Sequence, residues 1–358
     1  MLYKGFSISA LQLEGNYDYE SLVINSIRKR LLPPIEVNIP LYPDNYRNLI
    51  HILTDLNANA FRFSISFPRY IKDKSSLQVY INFIKELKEN NIEPFVTLFH
   101  YDNIGLFQDK RISLLFLEFS KKVFEELNKL DVKYIITFNE PLVYSAFIWT
   151  EAIRINYSNS VLDASKIALK EYFSIRRLNK LIYDFSKKDY DFKLIWTENL
   201  SIPLFDNQYK ILYLFSKAIL QNYKFLYPIL HIDALGINYY GYVKFTKKKK
   251  IINYQYFYSL SKLNDILIKL KKYKKPIFIT EFGLNLDNEY IKAKNIKKTL
   301  KFLIYKIHLG YNIKGVFYWS LVDCWEFFLG HNLHFGILTK DYKPKKSYEY
   351  LKEIFLKY

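Results

Sequence analysis

The sequence predicts an α/β chain folded as one (β/α)8, or TIM, barrel over residues 1–358, and three observations carry that expectation. Eight short apolar runs rich in β-branched and aromatic residues punctuate the chain, as strands buried on both faces of a parallel sheet require. One-sided apolar stripes of helical period lie between them. The starts of runs two to four and five to eight recur roughly every 35 to 45 residues, the length of a strand–helix unit, and eight such units close a barrel.

In chain order the expected strands are Gly5–Leu11, Ala60–Ser66, Pro94–His100, Tyr134–Asn139, Lys193–Thr197, Ala234–Tyr240, Pro276–Thr280 and Val316–Leu321. Three helical stripes are the clearest. Leu77–Asn90 carries apolar residues at 77, 80, 81, 84 and 87, Leu114–Leu130 at 116, 119, 123, 127 and 130, and Asn295–Leu309 at 296, 300, 303, 304 and 307. A doubly wound open sheet is the competing topology, but no G-x-G-x-x-G follows the first run and no Walker A motif occurs. No stretch rich in Gly, Ser or Pro divides the chain, so one domain is expected.

Composition narrows the class of function. Fifty-three Lys plus Arg against 35 Asp plus Glu leave a net charge of +18, which raises the question of nucleic acid. Only nine of the basic residues are Arg, the side chain suited to bidentate base and phosphate contacts. The Lys residues are spread over helices, and the runs Lys247–Lys250 and Lys271–Lys275 read as solvated loops. No nucleic-acid partner is expected. The single Cys, Cys324, excludes a disulfide framework and a Cys-based metal site, and is assigned to core packing. No metal and no cofactor are expected. The N-terminus lacks a signal-peptide pattern, and the apolar stretch Ile211–Leu230 is broken by Lys217, Gln221, Asn222 and Lys224. A soluble cytoplasmic protein without membrane contact follows.

In such a barrel, chemistry gathers at the C-terminal ends of the strands. Those ends offer Gln12 and Glu14, Arg62, His100-Tyr101-Asp102, Asn139-Glu140, Glu198-Asn199, Asn238-Tyr239-Tyr240, Glu281 and Trp319, then Asp323 and Glu326. Any one carboxylate at a strand end is more often solvated or ion-paired than catalytic. The combination points elsewhere: Glu140 and Glu281, on strands four and seven, face each other across one mouth. Paired carboxylates are the equipment for cleaving a glycosidic bond, one protonated to assist the leaving oxygen and one ionised to attack. Arg62 is suited to keep one of them ionised. Tyr101, Tyr240, Trp319, Trp325 and Phe327 offer flat faces for sugar rings.

Seven segments, in order and each on its expected strand, resemble the family-1 glycoside hydrolases, retaining β-glucosidases, β-galactosidases and relatives. They are Ala10–Gly15, Phe61–Arg69, Leu98–Asp102, Thr137-Phe-Asn-Glu-Pro141, Gly236-Ile-Asn-Tyr-Tyr240, Ile279-Thr-Glu-Phe-Gly283, and Trp319–Asp323 with Glu326 and His334-Phe-Gly336. The resemblance implies an exo-acting enzyme that hydrolyses β-glycosides by double displacement. It makes Glu140 the acid/base and Glu281 the nucleophile, with Arg62 and Tyr240 touching Glu281. It makes Gln12, His100, Tyr101, Asn139, Asn238, Trp319, Glu326 and Phe327 contacts to a small oligosaccharide or an aryl or alkyl β-glycoside. A retaining mechanism requires carboxyl groups about 5–5.5 Å apart.

Thr197-Glu198-Asn199 also mimics the nucleophile motif, but strand order excludes it, and Glu198 is expected to point away from the sugar. The chain departs from the family at Phe282 (Asn elsewhere), and at Phe327 and Tyr101 (each Trp elsewhere); Phe327 has no N–H to donate. Phe328–His334 does not match the phospho-sugar pocket of one family branch. The short chain implies trimmed loops and an open outer cleft. A transglycosylase on the same scaffold, or a binding protein for carbohydrate or polyanions that has lost catalysis, are the alternative functions.

Overall fold

The computed structural model describes residues 2–14, 18–35, 44–149, 160–205, 223–248, 251–327 and 329–357. Eleven strands occur among them: β1 (Tyr3–Ser7), β2 (Ala60–Ser64), β3 (Glu93–Phe99), β4 (Tyr134–Asn139), β5 (Lys193–Asn199), β6 (Ile202–Phe205), β7 (Ala234–Tyr239), β8 (Tyr242–Lys248), β9 (Ile251–Phe257), β10 (Ile277–Gly283) and β11 (Ile313–Trp319). Eight close a parallel barrel in the order β1-β11-β10-β7-β5-β4-β3-β2. This is the (β/α)8 barrel expected, and each of the eight apolar runs supplies one of its strands.

The runs are apolar for a visible reason. One layer inside the barrel takes Ala60, Phe95, Ile136, Ile195, Ala234, Phe278 and Phe317 from seven different strands, with Tyr3 and Tyr134 packed on it. Phe95 and Tyr134 stack at 4.5 Å. Large rings are accommodated because Gly5 and Ala60 face one another across β1 and β2; a Cβ on Gly5 would lie 1.8 Å from the Ala60 carbonyl oxygen. Filled this way, the barrel is a core rather than a pore. The outer faces of the strands bury against helices such as Leu77–Glu89, which turns Leu77, Tyr80, Ile81, Ile84 and Leu87 inward.

Element ends differ from expectation where caps, not apolar spacing, decide. The helix expected from Leu114 begins at Lys110, because Asp109 caps it by accepting the Arg111 N–H at 2.8 Å. That expected from Asn295 begins at Glu289, capped by Asn288. The first strand ends at Ser7 and not Leu11: Ala10–Leu13 coil into one helical turn. The run stays apolar because this turn is buried too.

A second sheet, β6-β8-β9, was not anticipated. β6 and β8 pair in parallel and β8 and β9 form an antiparallel hairpin. Since β6 and β8 leave directly from the C-terminal ends of β5 and β7, this sheet stands at the mouth of the barrel. It corrects the reading of Lys247–Lys250 as loop: Lys247 and Lys248 belong to β8, and Lys249 and Lys250 lie outside the described residues. The second run is split, Lys271 ending the helix Leu260–Lys271 and the rest following it. Of Ile211–Leu230, residues 211–222 lie outside the described residues, as does Gly15. No helix among the described residues is long and apolar enough to cross a membrane.

Candidate active site

The two carboxylates reach the mouth because the chain breaks parity just before each. The pairing of β4 with β5 shifts register between Ile136 and Phe138, and that of β10 with β7 between Ile279 and Glu281. Such irregularities re-aim the side chains that follow. Glu140 adds a left-handed backbone, φ 48° and ψ 52°, and Pro141 then opens the helix Pro141–Ile148. A non-glycine residue in that region is strained, and strain of this kind gathers at functional sites.

Glu281 is held from both sides. Arg62 Nη1 donates to its Oε1 at 2.5 Å, and the Tyr240 hydroxyl donates to Oε2 at 2.5 Å. Arg62 is itself fully buried and spends its remaining donors on Asn139 Oδ1 at 2.7 Å, the Thr280 carbonyl at 3.1 Å and Thr97 Oγ1 at 3.2 Å. A buried guanidinium demands this.

Among the described residues no cation is bonded to Glu140. Its Oε1 accepts the amides of Asn238 at 2.7 Å and Asn199 at 3.0 Å, and its Oε2 accepts the Tyr101 hydroxyl. This revises Tyr101, read from the sequence as a sugar contact: its polar end is directed at Glu140. Burial pushes the Glu140 carboxyl up to about 7, helped by the charge of Glu281. Burial raises Glu281 too, but the Arg62 charge and the Tyr240 and Arg62 hydrogen bonds oppose it. Both carboxyls are thus raised by burial, and the cation beside Glu281 alone favours its ionised form, which biases a shared proton toward Glu140.

Glu198 is turned away from Glu281 and Arg62. Its Oε1 accepts the Trp196 indole N–H at 3.0 Å and its Oε2 accepts the Leu142 N–H at 3.4 Å. Its neighbour Asn199 reaches Glu140 instead.

The remaining residues line the same mouth. Trp319 Nε1 donates to Glu326 Oε1 at 3.0 Å, Gln12 Nε2 donates to Glu326 Oε2 at 3.3 Å, and burial pushes Glu326 up to about 8. His100 lies against Trp319, rings 5.8 Å apart. Asn139 Oδ1 is taken by Arg62 and Asn238, so its amide Nδ2 faces His100 Nε2 at 3.3 Å. That assigns the ring proton to Nδ1, which is buried with no partner among the described residues. Burial and Arg62 hold the imidazole well below its usual pKa, hence neutral. Phe327 meets Tyr101, Trp325 and Phe147 edge-on at 5.0, 5.1 and 5.5 Å. Trp325 is fully buried beneath it and presents no face to a sugar, contrary to expectation. Cys324 is buried as expected, with its Sγ 3.7 Å from Glu326 Oε1.

Two supports carried no sequence signal. Lys292, fully buried on the helix Glu289–His308, donates to Glu289 at 2.6 Å and to the carbonyls of His334 at 2.8 Å and Gly336 at 3.3 Å. Phe335 between those carbonyls packs on Tyr240, rings 5.6 Å apart. Glu171 accepts the N–H groups of Phe107 at 2.7 Å and Gln108 at 3.0 Å, fixing the loop after Tyr101. Among the described residues no cluster of His, Cys, Asp and Glu is arranged to hold a metal.

Two buried carboxyls at the mouth of a (β/α)8 barrel, one held by a guanidinium and one by neutral donors, are the arrangement of a glycoside hydrolase. The chain belongs to glycosyl hydrolase family 1, whose family model matches residues 27–166 and 232–357. The unmatched interval 167–231 contains β5 with Asn199. Beta-glucosidase A of Thermotoga maritima is 26% identical over 374 aligned residues, covering 85% of this chain and 82% of its own. Furcatin hydrolase of Viburnum furcatum is 25% identical over 393, covering 83% and 72%. Among solved structures, a beta-glycosidase from Pyrococcus horikoshii superposes with a TM-score of 0.79 at 23% identity, over 99% of this chain and 93% of that one. A beta-glucosidase from Exiguobacterium marinum gives 0.77 at 20% identity, over 99% and 98%.

Proposed function

We propose that residues 1–358 form one catalytic domain, a retaining exo-β-glycosidase for β-glucosides, β-galactosides or related β-glycosides. The observation that carries this reading is the asymmetry of the pair: Arg62 and Tyr240 both hold Glu281, whereas Glu140 is bonded, among the described residues, to neutral donors.

In the first step an oxygen of Glu281 forms a bond to the anomeric carbon as the bond from that carbon to the leaving oxygen breaks. Glu140 gives its proton to that oxygen, and a covalent glycosyl ester remains on Glu281. In the second step Glu140, now a carboxylate, takes a proton from water as the water oxygen attacks the same carbon and Glu281 leaves. Two inversions give retention. The unspent His100 Nδ1–H, with Gln12, Asn139, Asn238 and Glu326, is suited to binding sugar hydroxyls. Trp319 supplies an apolar face, and Phe327 adds a second ring without a donor.

The test is the stereochemistry of the first product from an aryl β-glucoside, followed by NMR. The β-anomer is expected at early times. Glu281→Gln is expected to abolish turnover, and Glu140→Ala with azide to form a β-glycosyl azide. A first product of α configuration overturns the proposal.

A further inference from the structure

An ionised carboxylate has about four lone-pair sites, two on each oxygen. In Glu140 the two on Oε1 are filled by Nδ2 of Asn199 and Nδ2 of Asn238. Neither amide is free to turn round and accept. Asn199 Oδ1 accepts the Ser201 N–H at 2.9 Å, and Asn238 Oδ1 accepts the Thr280 hydroxyl at 2.8 Å. A proton on Oε1 would therefore point at a donor. Oε2 has one partner among the described residues, the Tyr101 hydroxyl.

From this we infer that Tyr101 is the positioning residue of the acid/base: its hydroxyl occupies one lone pair of Glu140 Oε2 and leaves a single seat, on that same oxygen, for the exchangeable proton. The inference rests on the acid/base reading of Glu140 and deepens it. Three filled sites make the fourth the place from which the leaving oxygen is protonated and at which water is later deprotonated. No bond of Tyr101 is made or broken; its proton stays on the phenol, which burial holds well above its usual pKa.

The geometry of Tyr101 suits a fixed donor. Its backbone is left-handed at φ 65°, as is that of Glu140 at φ 48°, so the hydrogen bond ties together two strained turns at the ends of β3 and β4. Its ring stacks on Tyr144 at 6.0 Å and meets the edges of Phe327 at 5.0 Å and His100 at 5.6 Å. The other charged and titratable groups acting on Glu140 are Arg62 from β2, Glu198 from β5, Tyr240 from beyond β7, Glu281 from β10 and Glu326 from beyond β11, while His100 at the end of β3 is bonded to the neighbouring Asn139. Tyr101→Phe leaves all of them in place and removes one oxygen.

The test compares Tyr101→Phe with the parent on aryl β-glucosides of graded leaving-group pKa, each over a pH range. A hydroxyl that donates to the carboxylate favours the ionised form, so its loss raises the pKa of Glu140. The alkaline limb of kcat/KM is expected to move up by about one pH unit. With two seats open on Oε2 the proton is no longer aimed. Loss is expected to reach roughly tenfold for poor leaving groups and to stay within about twofold for dinitrophenyl, which needs little acid assistance. Replacing Tyr101 with 3-fluorotyrosine, a stronger donor of nearly the same size, is expected to move the same limb down. It also keeps the question open to measurement if the Phe variant does not fold.

A Tyr101→Phe enzyme with the parental pH profile and an equal fractional loss on every leaving group overturns the inference. Azide rescue of Glu140→Ala in the same assays then leaves the reading of Glu140 standing. Absence of that rescue overturns the reading of Glu140, and the role of Tyr101 with it.

Discussion

Replacing Arg62 with Met removes the guanidinium bonded to Glu281 and leaves the carboxyl as buried as before. The parent places a guanidinium nitrogen 2.5 Å from Glu281 Oε1, with both side chains withdrawn from solvent. An adjacent opposite charge lowers a carboxyl pKa by roughly one to three units. Without it burial acts with only Tyr240 and Asn238 in opposition, and Glu281 is expected to titrate about two units higher. The nucleophile works only when ionised, so the acid limb of kcat/KM moves up by that amount. At pH values below both pKa values the variant retains about a hundredth of the parental ionised fraction. Stability follows with a definite sign. In the variant the folded chain keeps a proton on Glu281 that the unfolded chain, with a Glu pKa of about 4.3, releases. The folded state then binds more protons between about pH 4 and the raised pKa, so stability falls as pH rises through that window, by about 1.4 kcal/mol per unit. Breaking a buried pair also costs about 3–5 kcal/mol, with Asn139 Oδ1 and the Thr280 carbonyl losing a donor. The assays are kcat/KM on an aryl β-glucoside and thermal unfolding, both over about pH 4 to 9. An acid limb that stays where the parent has it, or a melting temperature lowered equally at both ends of the range, refutes the electrostatic account of Arg62.

Two further variants separate the reacting carboxyls from their surroundings. Glu198→Gln keeps an acceptor for the Trp196 N–H, and burial already holds Glu198 well above the carboxylate range, hence neutral; kcat/KM is expected within about threefold of the parent, and abolition of turnover in a folded Glu198→Gln protein would reverse the choice between Glu198 and Glu281. Gly283→Ala puts a Cβ 2.7 Å from Tyr240 Cε1 and 2.8 Å from the Trp319 carbonyl oxygen; since the backbone oxygen cannot yield, the Tyr240 ring must, and loss of its hydrogen bond to Glu281 is expected to lower kcat/KM by roughly tenfold to a hundredfold, read by steady-state kinetics beside a melting curve.

The parts of this molecule that were legible in the sequence are those where one strand suffices to state the physics. A strand of a filled barrel is apolar on both faces, and that demand recurs whatever its neighbours are. For the same reason the reading overran at the first strand: Ile8, Ala10, Leu11 and Leu13 are buried like strand residues, and an apolar run that short does not distinguish a strand from a buried turn of helix. The mouth hairpin β8–β9 shows the opposite error. Tyr242-Val-Lys-Phe-Thr-Lys and Ile251-Ile-Asn-Tyr-Gln-Tyr-Phe carry an interrupted two-residue alternation, but the lysines between them have equally the composition of a solvated loop.

Site residues divide along the same line. Glu140, Glu281 and Tyr240 were legible because each stands at the end of a strand whose direction was known, and Arg62 because a cation within a buried strand needs a partner. Tyr101 was half legible: its position at the mouth followed from β3, its partner did not. That partner depends on two left-handed residues, one after each of two strands, turning their side chains toward one another. Neither φ value leaves a mark in composition or spacing, because both positions hold ordinary side chains where a glycine would have announced the turn. Lys292 is the extreme case. Its carbonyl partners, at positions 334 and 336, accept through the backbone, and a backbone oxygen looks alike in every residue. What a sequence hides is thus less the reacting group than the hydrogen bonds that aim it, and in this barrel those bonds run from one strand end to another.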